Sequence, residues 1–376
     1  MKRLLTYITL LLFMVGCGGA TTQFDISHFD KVLYAPTHAS GFKVLHSEQT
    51  GATLITVSDP WQGANNVEQM LIIDPEGNFS ALPSNVKRIG GAAKRIVCMS
   101  SSHVAMLAEL GMSSAVAGVS GKQYITNEAV ANNPAVKDIG YDSNLNYEAL
   151  VLLNPDVVLM YGVSAANDAV TAKLRDLGIP YLYLGDYTEE LPLGKAEWVV
   201  AIAEIMGCRE RGEDVFAQIA QRYNEVRDSV VRSDEAPKVM FNLPYQDVWY
   251  MPSDESYMVR LVEDSGGEYI YKGRNQSSGS VGISLEEAYM LATEADVWMN
   301  VGQCSSLEEL RSAAPHFANL PVVVRGAVYN NNARATAAGG SDFWESAIVR
   351  PDVVLSDLVT IIAGGNNDTY YYQHLQ

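Results

Sequence analysis

The spacing of apolar residues changes near residue 94. Beyond this point, short β-branched runs alternate with stretches in which apolar residues recur every three or four positions. The runs predict strands at residues 95–99, 116–119, 156–161 and 180–184. The intervening stretches predict helices at 146–153 and 168–177, and a further helix capped by the serines at 100–102. This alternation is typical of a parallel sheet covered by helices, so the sequence predicts an α/β lobe.

One uninterrupted helical stretch, residues 209–231, breaks this alternation. Its 23 or so residues, at 1.5 Å each, predict a helix of roughly 35 Å, about the diameter of a small domain. The α/β pattern then resumes. Its strands are predicted at 238–241, 248–251, 269–271, 296–299 and 321–324, and its helices at 257–264, 284–291, 342–349 and 351–362. The sequence therefore predicts two α/β lobes joined by one long rigid helix.

The region before residue 94 has a different character. Alternating apolar and polar residues at 53–57 and 69–73 predict strands, and turn-forming residues lie between and after them. We therefore expect a small N-terminal β appendage. The expected division of the chain is a signal segment at 1–17, the appendage at 18–93, an N-terminal lobe at 94–208, the joining helix at 209–232 and a C-terminal lobe at 233–376.

The first residues resemble a bacterial export signal. Lys2 and Arg3 precede an apolar run at 4–15 that is too short to span a bilayer comfortably. Gly16 and Cys17 then resemble a lipobox, in which the cysteine becomes the lipidated N-terminus, although Met14 replaces the usual leucine. An ordinary secretory signal with a chance cysteine is the alternative. Both readings predict export to the periplasm or cell envelope, and the first predicts a membrane anchor at Cys17.

Composition excludes several classes of partner and site. The net charge is −18, or −20 without Lys2 and Arg3, and no basic stripe is present, so nucleic-acid binding is not expected. The later cysteines are too few and too widely spaced for a disulfide framework or a zinc site, and the six histidines are scattered. Common catalytic motifs are absent, so we expect no enzyme. A lipid-anchored enzyme and a stand-alone surface capture protein remain alternatives.

Several motifs resemble those of one family over residues 94–364. They are RIVCMSSSHVAMLAELG at 95–111, DIGYDSNLNYEALVLLNPDVV at 138–158, ISLEEA at 283–288 with ADV at 295–297, and SDFWESAIVRPDVVLSDL at 341–358. In this order, the motifs resemble the class III periplasmic binding proteins, which serve ABC importers of iron–siderophores, haem and cobalamin. The resemblance implies two lobes, a shallow cleft between them and little hinge motion. It also implies a monomer that binds one small metal chelate, with no cofactor of its own.

The resemblance also implies how the chain meets its importer. In this family, one glutamate on each lobe docks onto arginine pockets of the permease dimer. The matching positions are Glu148 and Glu286, with Glu287 a weaker candidate on the second lobe. A carboxylate on each lobe, met by fixed guanidinium groups, gives an oriented contact at two points.

The ligand is expected at loops that follow the carboxyl ends of the strands, because open α/β sheets bind ligands there. Aromatic side chains in these loops offer flat faces to a large macrocycle. The candidate ligand-binding residues are Tyr124, Tyr141, Tyr161, Tyr245, Trp249, Tyr250 and Tyr329. Basic residues that can pair with propionates or an anionic siderophore are Lys122, Arg274 and Arg334, and His103 is a further candidate.

Tyr141 has a specific implied role. It lies seven residues before Glu148, and in haem-binding members a tyrosine at that spacing supplies a phenolate ligand to ferric iron. Cobalamin-binding members instead present an aromatic ring nearby for stacking. The adjacent Asp142 disfavours a phenolate unless a cation such as Lys122 offsets it. The expected ligand is therefore an iron chelate, haem or a ferric siderophore, with cobalamin as the alternative.

Overall fold

The computed structural model describes residues 22–79, 81–141, 144–163, 165, 168–275, 279–365 and 368–376. Cys17 and Asp142 lie outside the described residues. The first sheet has five strands, in the order of the chain: β1 (Lys31–Tyr34), β2 (Phe42–His46), β3 (Thr53–Ser58), β4 (Glu68–Ile73) and β5 (Val86–Ile89). The first four strands form an antiparallel meander, and β5 pairs parallel to β4.

The second sheet is entirely parallel, with the strand order β10-β9-β6-β7-β8. Its strands are β6 (Ile96–Cys98), β7 (Val116–Val119), β8 (Lys137–Asp138), β9 (Val157–Met160) and β10 (Tyr181–Tyr183). The connecting helices are α1 (Ser101–Glu109), α2 (Glu128–Ala131), α3 (Tyr147–Leu153) and α4 (Asp168–Asp176). As predicted, Ser100 caps α1, since its hydroxyl accepts a hydrogen bond from the Ser102 N–H. We refer to this unit as the N-terminal lobe.

Two helices follow the N-terminal lobe, α5 (Pro192–Ile205) and α6 (Arg209–Ser229). The sequence predicted α6 but not α5, in which every residue except Glu204 is buried. A helix that is buried on all sides shows no amphipathic period, so the pattern of its sequence does not reveal it.

The C-terminal lobe carries a sheet of order β13-β11-β15-β16-β17, in which only β17 is antiparallel, and a separate antiparallel ribbon of β12 and β14. Its strands are β11 (Lys238–Phe241), β12 (Val248–Met251), β13 (Glu268–Tyr269), β14 (Val281–Ser284), β15 (Val297–Met299), β16 (Val328–Asn330) and β17 (Gln373–His374). Its helices are α7 (Tyr257–Asp264), α8 (Leu285–Ala292), α9 (Leu307–Ala313), α10 (Pro321–Val324) and α11 (Pro351–Ile362).

Two predictions of secondary structure in the C-terminal lobe are wrong. Residues 321–324 form the short helix α10 instead of a strand, with Pro321 in its first turn and Val322 and Val323 buried. Proline presets the backbone for a first helical turn, and tertiary burial then overrides the strand preference of the valines. The predicted helix at 342–349 is instead two short 3₁₀ turns, at Asp342–Trp344 and Ser346–Ile348.

Helix α6 is bound to the C-terminal lobe by polar contacts. The Arg222 guanidinium lies 2.7 Å from the Asp352 carboxylate on α11, and the Tyr223 hydroxyl donates to Asp264 on α7 at 2.6 Å. Burial alone raises the pKa of Asp352, but the guanidinium groups of Arg350 and Arg222 outweigh it, so the pKa is lowered. The carboxylate therefore stays charged and holds α6 against α11.

The first sheet is held to α5 and to the loop before it by two buried glutamates, Glu197 and Glu189, which we call the carboxylate clasp. One oxygen of Glu197 accepts hydrogen bonds from the Tyr34 hydroxyl (2.7 Å) and the Thr37 N–H (2.8 Å). Its other oxygen accepts from two further N–H groups, those of residues 38 and 39, each at 2.7 Å. Glu189 accepts from the N–H groups of residues 40 and 41 at 3.0 Å. The N-terminal sheet is therefore fastened to α5.

Candidate functional site

The two lobes meet at the carboxyl edge of the N-terminal sheet. The backbone N–H groups of Thr126 and Asn127, which follow β7, each donate to the Glu345 carboxylate at 2.7 Å. The Thr126 hydroxyl also donates to Asp342 at 3.1 Å. Burial raises the pKa of Glu345 above its ordinary value, and the two N–H groups only partly offset that effect. The C-terminal lobe is thus fixed beside the edge at which open α/β sheets bind ligands.

Exposed tyrosines follow four of the five strands along this edge. They are Tyr124 after β7, Tyr141 after β8, Tyr161 after β9 and Tyr187 after β10. Three of them were predicted from the sequence, and Tyr187 was missed. The same rule applied to the residues just after the predicted strand at 180–184 would have found it. The edge therefore offers a row of aromatic faces to a ligand.

Tyr124 and Tyr141 form a pair at one end of this row. Their ring centroids lie 6.2 Å apart, and both rings are exposed. Desolvation and the hydrogen bond with the Tyr124 phenol raise the pKa of Tyr141 above its ordinary value. The Lys122 ammonium does not offset this, because it donates to the carbonyl oxygens of Asn133 (2.6 Å) and Val136 (2.9 Å). Tyr141 is therefore a neutral phenol near pH 7.

The C-terminal lobe contributes a second group of exposed side chains close to the lobe contact. The Arg334 guanidinium lies 4.4 Å from the centre of the Tyr370 ring and 2.8 Å from Asp342. Trp344 is 53% exposed, and its carbonyl oxygen accepts from the Ser101 hydroxyl at 3.3 Å. A side chain at Gly340 would overlap the Tyr124 carbonyl, so the loop before Trp344 lies directly on the N-terminal lobe. The sequence interpretation missed Trp344 and Tyr370 as cleft residues.

Three predicted ligand-binding residues are buried, and the prediction is corrected for them. Trp249 packs on Trp298 at 5.6 Å between ring centroids, and its indole N–H donates to the Phe241 carbonyl. Tyr329 lies within β16, and its ring packs against His374. His103 lies on α1 and is fully buried, as are the other residues at 102–107 of that helix. None of the three presents a face to a ligand.

The remaining predicted aromatic and basic residues lie on or beside the β12–β14 ribbon. Tyr245 and Tyr250 are exposed there. Arg274 lies 5.5 Å from the Tyr271 ring and 4.0 Å from the Glu287 carboxylate. The contacts of Arg274 lie within the C-terminal lobe, and the ligand-binding roles of these residues stay predictions.

A buried polar group lies beneath the cleft, between α5 and α7. The Lys195 ammonium donates to the carbonyl oxygens of Asp186 (2.8 Å) and Tyr187 (2.9 Å) and lies 4.6 Å from the Tyr257 ring centre. Burial lowers the pKa of Lys195 to about 8. The adjoining cavity holds only about 10 Å³ and is lined mainly by apolar side chains, so it has no room for a ligand.

The two candidate docking glutamates occupy equivalent positions. Glu148 and Glu286 are exposed in the first turns of α3 and α8, and both helices are capped, by Asn146 and by Ser284. Exposed apolar residues follow each glutamate at the third and fourth positions. They are Val151 and Leu152 on α3, and Tyr289 and Met290 on α8.

Two further observations concern the described part of the chain only. Within it, no three or more His, Cys, Asp or Glu side chains are grouped so as to hold a metal ion. Among its helices, none combines the length and the apolar character needed to cross a bilayer.

Comparison with known proteins gives a consistent result. A profile described as periplasmic binding protein matches residues 96–335. An uncharacterized lipoprotein of Methanocaldococcus jannaschii is 27% identical over 294 residues, covering 75% of this chain and 68% of the relative. A cobalamin-binding protein of Halobacterium salinarum is 26% identical over 243 residues, covering 64% and 62%. A periplasmic haem-binding protein from Pseudomonas aeruginosa has the same fold, with a TM-score of 0.57, 16% identity and coverage of 76% and 98%.

Proposed function

The chain belongs to the periplasmic binding protein family, and we propose that it captures a cobalt or iron chelate between its lobes and delivers it to an ABC importer. The observation that carries the proposal is the row of exposed tyrosines at the carboxyl ends of four of the five strands in the parallel sheet. Aromatic side chains bury a large area at little cost in conformational entropy, which suits a broad, flat ligand. Trp344 and the Arg334–Tyr370 pair supply matching surfaces on the other lobe.

Within this class we propose a corrinoid of the cobalamin type as the ligand. The exposed Tyr141 ring is paired with Tyr124, and Lys122 is turned away from it, so the pair offers aromatic faces for stacking and no nearby lysine to stabilise a phenolate. A cobalamin-binding protein is among the relatives that share about a quarter of their residues with this chain. Both observations favour a ligand that is held by stacking and polar contacts, without a bond from Tyr141 to its metal ion.

Haem is the second candidate. Tyr141 is exposed just after β8, where it can reach the iron of a haem bound in the cleft. Coordination to a ferric ion lowers the pKa of a phenol, which opposes the local effects that raise it. The fold of a haem-binding protein is also shared.

We propose that Glu148 and Glu286 dock onto the permease. Both carboxylates are exposed at helix N-termini, on different lobes. The exposed apolar pairs that follow them, at identical offsets, fit a partner built from two equivalent subunits. Charged contacts then orient the partner while the apolar pairs contribute buried area.

The proposed location is the periplasm or cell envelope, with a lipid anchor at Cys17. A relative named as a lipoprotein supports the anchor. The relatives with named activities are binding proteins, and we propose that this chain likewise has no catalytic activity.

The test is a titration of the mature chain with hydroxocobalamin, ferric haem and ferric desferrioxamine, followed by tryptophan fluorescence and visible spectra. We expect saturable binding of one hydroxocobalamin per chain. Replacing Tyr124 and Tyr161 together with alanine is expected to weaken it about tenfold, since each aromatic contact contributes about 0.5–1.5 kcal/mol. Val324→Ala, at an exposed position on α10, is the control. Absence of saturable binding to any of the three chelates would refute the proposal.

A further inference from the structure

The loop between β3 and β4, residues 59–67, lies on the carboxyl edge of the N-terminal lobe. The Gln62 N–H donates to the carbonyl oxygen of Val163, just beyond β9, at 3.0 Å. The Trp61 ring packs on Tyr183 of β10, with 5.4 Å between ring centroids. A side chain at Gly162 would approach Trp61 to 3.2 Å. The β3–β4 loop therefore covers the ends of β9 and β10, next to Tyr161.

The same loop also reaches the C-terminal lobe. A Cβ atom at Gly279, which precedes β14, would lie 2.6 Å from the Gln62 amide nitrogen. Gly279 is itself fixed, because its carbonyl oxygen accepts from the amide of the buried Asn275 at 2.9 Å. Gln62 thus lies against both lobes, one through its backbone and the other through its side chain.

This bridge differs in position from the direct contact between the lobes. Glu345 and Gly340 of the C-terminal lobe meet residues that follow β7, whereas the β3–β4 loop meets residues at β9 and β10. The sheet order β10-β9-β6-β7-β8 separates these strands along the edge. The carboxyl edge is therefore covered at two places by two different parts of the chain.

The loop is firmly held at its base. The N–H and the carboxylate of Asp59 pair with the backbone of Val67, both at 2.8 Å, which closes the loop into a compact turn. The carboxylate clasp fastens the sheet from which the loop projects. The bridge that the β3–β4 loop makes between the lobes is therefore an ordered part of the structure.

We propose that the β3–β4 loop closes one end of the ligand cleft and controls release of the bound chelate. The inference rests on the proposed function and adds a third wall to its site. Trp61 is the positioning residue, since its ring packs on the N-terminal lobe. Gln62 is the residue that faces the ligand, because its amide can hydrogen-bond the polar side groups at the edge of a corrinoid. Opening this end of the cleft requires Gln62 to break its contact with either Val163 or Gly279.

The first test needs no ligand. In a Cys208→Ser background, Gln62→Cys and Gly279→Cys are introduced together and treated with a short bis-maleimide. We expect rapid cross-linking within the chain. In the control pair, Gln62→Cys with Glu128→Cys, the cysteines are modified singly and no cross-link forms. Both cysteines modified singly, without a cross-link, would show that the loop does not bridge the lobes.

The second test measures release of hydroxocobalamin or ferric haem, whichever the wild type binds, by stopped-flow. Trp61→Ala and Gln62→Gly are expected to raise the dissociation rate about tenfold, whereas Trp61→Phe and Val324→Ala retain the wild-type rate. Amide exchange in residues 59–64 is expected to slow when ligand binds. Wild-type dissociation rates in both variants would overturn the inference while leaving the proposed function intact. Failure of the wild type to bind either probe would overturn the proposed function and the loop's role in release, but not the bridge itself.

Discussion

Glu197→Gln is expected to loosen the attachment of the N-terminal sheet. One carboxylate oxygen accepts two hydrogen bonds at 2.7 Å, and the other accepts two at 2.7 and 2.8 Å and a longer one, 3.3 Å, from the Thr37 hydroxyl. The side-chain amide of glutamine retains one acceptor oxygen. Its NH₂ group takes the place of the other oxygen and faces the groups that donated to it. Hydrogen bonds to a charged group contribute about 1.5–3 kcal/mol each, and the neutral amide avoids part of the cost of burying a charge at this fully buried position. Loss of two bonds therefore predicts about 3 kcal/mol of destabilisation.

Urea unfolding at 25 °C, followed by both tryptophan fluorescence and circular dichroism, gives the overall effect. Two probes are needed because lobes and sheet can unfold separately. Amide exchange at residues 37–41 gives the local effect, and we expect it to accelerate strongly. Glu128→Gln, an exposed glutamate in the first turn of α2, is the control. A change below about 0.5 kcal/mol, with unaltered exchange at residues 37–41, would refute the account of the clasp, since exposed substitutions give changes of that size.

Three further predictions concern Lys195, Tyr141 and the docking surface. The pKa of Lys195 in the folded chain, about 8, lies below that of an unfolded lysine, so its burial costs stability at low pH and the cost falls as pH rises above 8. Relative to Lys195→Met, the wild-type free energy of unfolding should therefore rise by about 2 kcal/mol between pH 7.5 and 9.5; a constant difference in urea titrations would contradict this. Tyr141→Phe should leave hydroxocobalamin affinity nearly unchanged; if the ligand is haem, the same variant should alter the ferric visible spectrum and weaken binding, and an unaltered spectrum would exclude ligation by Tyr141. Glu148→Ala with Glu286→Ala should weaken permease association by about 2–5 kcal/mol without affecting chelate binding, as judged by transport in reconstituted vesicles. Glu128→Ala with Glu308→Ala is the matched control, and equal transport by both double variants would show that Glu148 and Glu286 are ordinary surface residues.

The sequence predicted the parts of the molecule in which local pattern and burial agree. Four of the five parallel strands of the N-terminal lobe, helix α6 and the tyrosines at 124 and 161 follow from spacing and strand ends, whereas β8, which precedes Tyr141, was missed. The family resemblance drawn from motif order is confirmed by the match over residues 96–335.

Other features depend on contacts that no local pattern carries. Helix α5 is buried on every side, so it has no period, and the glutamates of the clasp act on residues far away in the chain. Trp249 was misjudged although its strand alternates: Trp249 and Met251 point inward, and Tyr250 points outward. Period-two reasoning assigns opposite faces to neighbours, and it would have separated Trp249 from Tyr250. Burial of His103 depends on the packing of α1 between other elements.

The carboxylate clasp also constrains the order in which the chain can assemble. Glu197 and its partner Thr37 are 160 positions apart, so the contact cannot form until most of the N-terminal lobe has been synthesised. Strands β1 to β4 can pair as a meander long before that point, because their partners are close in sequence. The apolar side chains Val44, Ile55 and Leu71 belong to the main core of the folded chain. Until the N-terminal lobe packs on the sheet, they are exposed to solvent. This early segment of the chain is thus among the last to reach its final contacts, and its inner apolar face stays exposed in that interval.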